Sequence, residues 1–110
     1  MNVEIRARDL DMAEAMRSHL QCRLRFALGR FEDRIRRVIV RLLDVNGPRG
    51  GIDKQCRIKL ELIPSGKLVI QEASADLVAA IDRGADRVGH AISRKLHRET
   101  ELRDVSSVGT

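Results

Sequence analysis

Six cationic or titratable side chains recur near the C-terminus at steps of three, four and one: Arg83, Arg87, His90, Arg94, His97 and Arg98. At about 100° per residue they fall within a sector of about 100° on a single helix. Guanidinium forks and imidazoles in such a row have no nucleophile to activate. Their chemistry is recognition of a polyanion, above all a phosphate backbone. Asp82 and Asp86 flank the sector, and a solvated helix face laced by i,i+4 charge pairs would carry the same pattern. Upstream stand Arg17, Arg23, Arg25, Arg30, Arg34, Arg36 and Arg37, with Arg49 and Lys54 in a later loop. If the two helices that carry most of these pack side by side, their outer faces are expected to merge into one positive surface.

Other chemistry finds little support. His19, His90 and His97 lie in helical patterns without a matched nucleophile or carboxylate, and His19 reads as a helix-border residue. The segment Gly47-Pro48-Arg49-Gly50-Gly51 imitates a phosphate loop and would suit a small acyl-phosphate hydrolase, but it leads into a strand pattern instead of a helix N-terminus. Cys22 falls in a helical pattern and Cys56 in a strand pattern, without a partner at zinc-ligand spacing. Both are expected to be small, buried or half-buried thiols. No catalytic residue, metal or cofactor is expected.

The elements that must position the arginines follow from periodicity. In Asn2–Arg8, Val3, Ile5 and Ala7 alternate with polar residues, the period of a half-buried strand. Asp11 stands three residues before Glu14, a capping box. Met12, Ala15, Met16, Leu20, Leu24, Ala27, Leu28 and Phe31 then mark one helix face, with Arg17, Gln21 and Arg25 turned away and an end near Gly29. A second strand is predicted from about Ile35 to Asp44, with Val38, Val40 and Leu42 on one face and Ile39, Arg41 and Leu43 on the other. After a loop rich in glycine, Cys56, Ile58, Leu60 and Leu62 point inward, with Gln55, Arg57, Lys59 and Glu61 outward. Pro64-Ser65-Gly66 turns the chain into a fourth strand, Lys67 to Ser74. Ser74 or Asp76 caps a final helix whose stripe of Leu77, Ile81, Ala85, Val88, Ile92 and Leu96 ends near Arg98. The expected fold is α+β, β-α-β-β-β-α, a four-stranded sheet with two helices packed on one face. Residues 1–98 are expected to form a single binding domain, and 99–110 a frayed polar tail.

Composition agrees. The 110 residues include 43% hydrophobic and 34% charged, as in a folded domain with a charged exterior. The net charge is +5, and residues 13–41 alone hold eight Arg against Glu14, Glu32 and Asp33. No apolar run approaches the ~18 residues of a membrane span, and the N-terminus lacks a signal-peptide core, so a cytoplasmic location without membrane partners is expected. Aromatics are only Phe26 and Phe31. An RNA partner would therefore be read through backbone and shape more than through stacked bases.

The order of elements, with Ala15-Met16-Arg17 in the first helix and Asp76-Leu77-Val78-Ala79-Ala80-Ile81-Asp82 opening the last, resembles the ribosome hibernation-promoting factors. These are also called ribosome-associated inhibitors or sigma-factor modulation proteins. The similarity runs from about Val3 to Arg98 and is most specific between Asp76 and Arg87. It implies a bacterial stress factor that sits on the small ribosomal subunit, in the channel for messenger and transfer RNA, and silences translation. Residues 1–98 would then be a ribosome-binding domain. The basic positions of the family map onto Arg8, Arg23, Arg87 and Arg94, with Lys95 close by. Together with the helix faces, the expected RNA contacts are Arg8, Arg17, Arg23, Arg25, Arg83, Arg87, His90, Arg94, Lys95 and Arg98, with Arg49 and Lys54 as a further loop contact. Val78 replaces the usual aromatic, Ser93 and Leu96 replace basic residues, and the loop Gly47–Lys54 is longer than in the best-known members. The chain stops before the C-terminal dimerisation domain of the long forms, so a short form without a small-molecule substrate is implied. The competing expectation is a protein-interaction regulator, such as a sigma-factor modulator, docking on an acidic partner through the same arginines.

Overall fold

The structure, a computed structural model, describes residues 1–8, 13–44 and 54–108, the side chains of Arg8 and of residues 101–108 excepted. Strand β1 (Asn2–Arg8) is followed by helix α1 (Glu14–Leu28), a 3-10 segment (Gly29–Arg34), strands β2 (Ile35–Asp44), β3 (Lys54–Leu62) and β4 (Lys67–Ser74), and helix α2 (Leu77–Val108). The expected β-α-β-β-β-α order is borne out. The sheet order is β1-β2-β3-β4, with β1 parallel to β2 and the remaining pairs antiparallel. The parallel pair follows from α1, which carries the chain back over the sheet between β1 and β2.

Alternation in the strands decides which face the helices cover. Val38, Val40, Leu42, Cys56, Ile58, Leu60 and Leu62 are buried beneath Leu20, Leu24 and Leu28 of α1 and Ala80, Ile81, Val88 and Ile92 of α2. Fully burying one such Leu, Ile or Val contributes about 1.5–3 kcal/mol. Two glycines set how closely α2 can lie. A Cβ on Gly84 would stand 3.2 Å from Ile58 Cδ1, and one on Gly89 would stand 3.2 Å from the Ala27 carbonyl oxygen. The first lets α2 settle on β3, the second lets it touch α1. No helix among the described residues is long and apolar enough to cross a membrane.

Three helix ends bear on the sequence reading. The proposed cap, Asp11, lies outside the described residues. Ala13, extended at φ −63° and ψ 149°, precedes the helix without a side-chain cap bond, and its carbonyl accepts from the N–H groups of Met16 and Arg17. Gly29 does end α1, but in right-handed conformation (φ −55°, ψ −40°), so the coil tightens into the 3-10 segment instead of reversing. Finally, α2 continues past Arg98 to Val108. Its apolar stripe ends at Leu96, yet neither glycine nor proline follows before Gly109, and helix continuation needs only backbone bonds. At the other end Asp76 is the cap: its Oδ1 accepts from Val78 N at 3.3 Å, and Ser74 Oγ accepts from Asp76 N at 3.2 Å.

Candidate nucleic-acid interface

α1 and α2 lie side by side, as the merging of their outer faces requires, but the seam between them is charge-compensated. Arg23 Nη2 donates to Asp86 Oδ1 at 2.6 Å and to the Asp82 carbonyl at 3.4 Å. Its Nε lies 3.2 Å from Asp82 Oδ1 without hydrogen-bond geometry. His19 Nε2 meets the same Asp82 carboxylate at 2.8 Å. The two aspartates therefore pair across to the first helix, and the positive charge divides into two ridges.

The first ridge runs along α2. Arg83, Arg87, His90, Arg94, His97 and Arg98 are all exposed, as the angular count requires. Arg87 is bound: its Nη1 donates to Glu72 Oε1 and to the Gln71 carbonyl on β4. Arg83, His90, Arg94 and Arg98 make no ion pair or hydrogen bond among the described residues. Lys95 is half-buried, its stem passing close to the β3–β4 turn at Gly66. The second ridge belongs to α1, where Arg25 and Gln21 are exposed and Arg17 is partly so.

Several arginines expected on this surface serve the fold. Arg34 donates to the Ile63 carbonyl at 2.9 Å and to Glu99 at 3.0 Å, tying the 3-10 segment to the turn after β3 and to α2. Arg37 points to the opposite face of the sheet and donates to both Glu61 oxygens, at 3.1 and 2.7 Å. That pairing holds the Glu61 carboxyl below its ordinary range. Arg30 stacks on its neighbour Phe31, 4.7 Å from the ring centroid. Lys54 lies 3.1 Å from Asp44 across the ends of β2 and β3. Arg49 lies outside the described residues, as does the side chain of Arg8, whose backbone ends β1.

Three features were missed or misjudged by sequence reasoning. Phe26 is 85% exposed, in a shallow groove of about 320 Å³ shared with Arg30, Gly89 and His90. Its place in α1 away from Leu20, Leu24 and Leu28 was the available signal. Cys22, expected to be buried or half-buried, is instead exposed, because its position on α1 faces away from Leu20, Leu24 and Leu28, whereas Cys56 is buried as expected. Burial beneath α2 pushes the Cys56 thiol up to about 12, with a smaller contribution from nearby Glu72. The third is a row of cations on the open face of the sheet, Arg6, Arg41 and Arg57, brought into line only by strand register. Among the described residues no group of three His, Cys, Asp or Glu side chains could hold a metal ion.

A family model described as Sigma 54 modulation protein / S30EA ribosomal protein matches residues 3–100. The fold is similar to the N-terminal domain of Thermus thermophilus Protein Y, with a TM-score of 0.71 at 28% identity over 86% of this chain and 98% of that one. It also resembles a ribosomal subunit interface protein from Coxiella burnetii, with a TM-score of 0.72 at 17% identity over 88% and 99%; at that identity the likeness concerns the fold alone. No curated protein matches the chain.

Proposed function

The chain belongs to the Sigma 54 modulation protein / S30EA ribosomal protein family, and from that premise we propose that it is a cytoplasmic ribosome-associated factor that binds RNA of the small subunit and holds translation inactive. The family is one of ribosome-associated proteins without catalysis, in keeping with the lack of any nucleophile–base arrangement among the expected site residues. Residues 1–98 are the proposed binding domain.

The observation that carries the reading is the α2 ridge. Arg83, His90, Arg94 and Arg98 stand exposed at helical spacing with no carboxylate partner among the described residues. Side chains that stabilise a fold find partners, as Arg23, Arg34, Arg37 and Arg87 do; a row without them is charge held ready for something else. Arg25 and Arg17 extend the contact onto α1, and Phe26 offers a flat surface between the ridges. Arg8, Arg49, Lys54 and Lys95 stay in the proposal as peripheral contacts. Arg23 and Arg87 enter it in a changed role: held in ion pairs with Asp86 and Glu72, they position the surface and do not themselves take phosphates.

Co-sedimentation with purified small subunits tests the reading. Arg83→Glu with Arg94→Glu should abolish association while leaving thermal unfolding unchanged. Arg87 is avoided because a glutamate there would face Glu72. With about six phosphate contacts, the log–log dependence of affinity on salt should have a slope of about −4 to −5. Sedimentation of the double variant at wild-type levels would refute the helix ridge as the binding surface.

A further inference from the structure

Among the described residues, the two helices cover one face of the sheet and nothing covers the other. On that bare face Arg6 stands opposite Arg41, Arg41 opposite Arg57, and Arg57 opposite Gln71, so that one line across all four strands reads Arg-Arg-Arg-Gln. Like charges directly opposite in adjacent strands are destabilising, and the face does not neutralise them all. Of its two described acids, Glu61 is held by Arg37, and Glu4, between Arg6 at 3.1 Å and Arg37 at 3.8 Å, offsets only the Arg6 end of the line, leaving Arg41 and Arg57 uncompensated. Arg41 and Arg57 are exposed and make no ion pair or hydrogen bond among the described residues. Lys59 lies one step along β3 beyond them, lining a small depression with both arginines.

The shape of the site selects its ligand. The row lines an open groove of about 380 Å³ together with Gln55 and Gln71. With strands ~4.8 Å apart, three guanidinium groups spread along about 10 Å. They form a line and do not converge on one point, which suits a chain of phosphates better than a single anion. The planar fork of arginine matches phosphate oxygens in pairs. Both aromatics of the protein, Phe26 and Phe31, belong to α1 and the 3-10 segment, so nothing on this face stacks bases.

We propose that the open face of the sheet is a second RNA-backbone site, in which Arg6, Arg41 and Arg57 take phosphates of one strand and Gln55 and Gln71 donate hydrogen bonds beside them. The protein then holds RNA on two opposite faces. The choice of RNA as the polyanion rests on the ribosomal reading above; the uncompensated pair Arg41 and Arg57 does not.

Binding of a fluorescent oligouridylate, followed by anisotropy through a salt titration, tests this with two paired variants. Arg41→Ser with Arg57→Ser should weaken binding and flatten the salt slope by about 1.4, two single-strand phosphate contacts at about 0.7 each. The same variant should unfold at or above the wild-type temperature, because like-charge repulsion is relieved. Arg41→Lys with Arg57→Lys should keep the slope and lose affinity. If the serine pair binds as wild type while Arg83→Ser with Arg94→Ser does not, the sheet site is overturned and the helix ridge stands. If neither pair changes affinity, both fail; if only the sheet pair matters, the ridge fails and the sheet site stands. A marked fall in unfolding temperature for the serine pair would make the row structural and overturn the site. Binding of poly-glutamate as tightly as oligouridylate, through the same row, would assign the face to an acidic protein and overturn the RNA site.

Discussion

Arg23 on α1 stands 2.6 Å from the carboxylate of Asp86 on α2, a residue 63 positions later in the chain. The pair closes the seam between the helices at the side where Asp82 also meets His19. It converts an arginine that looks like a ligand contact into a link between elements. Asp86 is the more exposed partner, at 61% against 27% for Arg23, so the interaction is partly screened by solvent. A double-mutant cycle of Arg23→Ala and Asp86→Ala in urea should give a coupling of about 0.5–1 kcal/mol. Arg23→Ala should also leave the salt slope of RNA binding within error of wild type. A slope flattened as much as for Arg94→Ala would mean that the ion pair opens when RNA binds.

Gly89 meets the Ala27 carbonyl where α1 and α2 touch, and backbone cannot move aside as a flexible side chain can. Gly89→Val should therefore cost about 1–3 kcal/mol through overpacking, read from the denaturant midpoint at constant m-value. Gly29, where an added Cβ would meet nothing within 4 Å, is the control: Gly29→Ala should be neutral or slightly stabilising.

The two thiols should separate cleanly. Cys22 is exposed and Cys56 buried, with the Cys56 thiol pushed up to about 12. A chromogenic disulfide reagent at mildly alkaline pH should titrate one thiol in the folded protein and two in urea, and Cys22→Ser should remove the fast one. Because the folded value lies above the unfolded one, the neutral Cys56 thiol supports the fold fully below about pH 8.5. That support is lost as pH rises through about 12. The decline across this window should be shallower in Cys56→Ala.

Glu61 titrates below the usual carboxylate range because Arg37 donates to both of its oxygens. A depressed folded value means stability that is present above the unfolded value of about 4.3 and is lost as pH falls through the folded one. Carbon-detected NMR of the Glu61 carboxyl should show its midpoint moving upward in Arg37→Ala. An unmoved midpoint would mean that Lys59 and Arg36, which also favour the charged form, suffice without Arg37.

Much of the scaffold was legible because its signals are local. Alternation in Val38-Ile39-Val40-Arg41-Leu42 and in Cys56–Leu62 set the buried face, and the stripe from Leu77 to Leu96 set the inner side of α2. What was not legible depends on partners distant in sequence. Residues 13–41 look strongly basic in isolation, yet Asp82, Asp86 and Glu99, all from the neutral C-terminal third, neutralise Arg23 and Arg34. Conversely, Arg6, Arg41 and Arg57 can each be placed on an outward strand position from parity alone. Only the register shows that they stand in one line, and no local pattern encodes register between β1 and β2 across an intervening helix. At the start of α1 the expected cap, Asp11, lies outside the described residues; the helix begins at Glu14, and Ala13 before it makes no side-chain cap bond.

The parallel pairing of β1 with β2 also has a consequence during synthesis. The hairpins β2–β3 and β3–β4 join neighbours along the chain, whereas among the described residues β1 pairs with β2 alone and reaches it across α1. On a chain made from its N-terminus, β1 leaves the exit tunnel before its partner, which begins only at Ile35. Every ladder bond of β1, and with them the alignment of Arg6 with Arg41, must wait for residues translated later. The order of translation itself thus keeps β1 waiting for its partner.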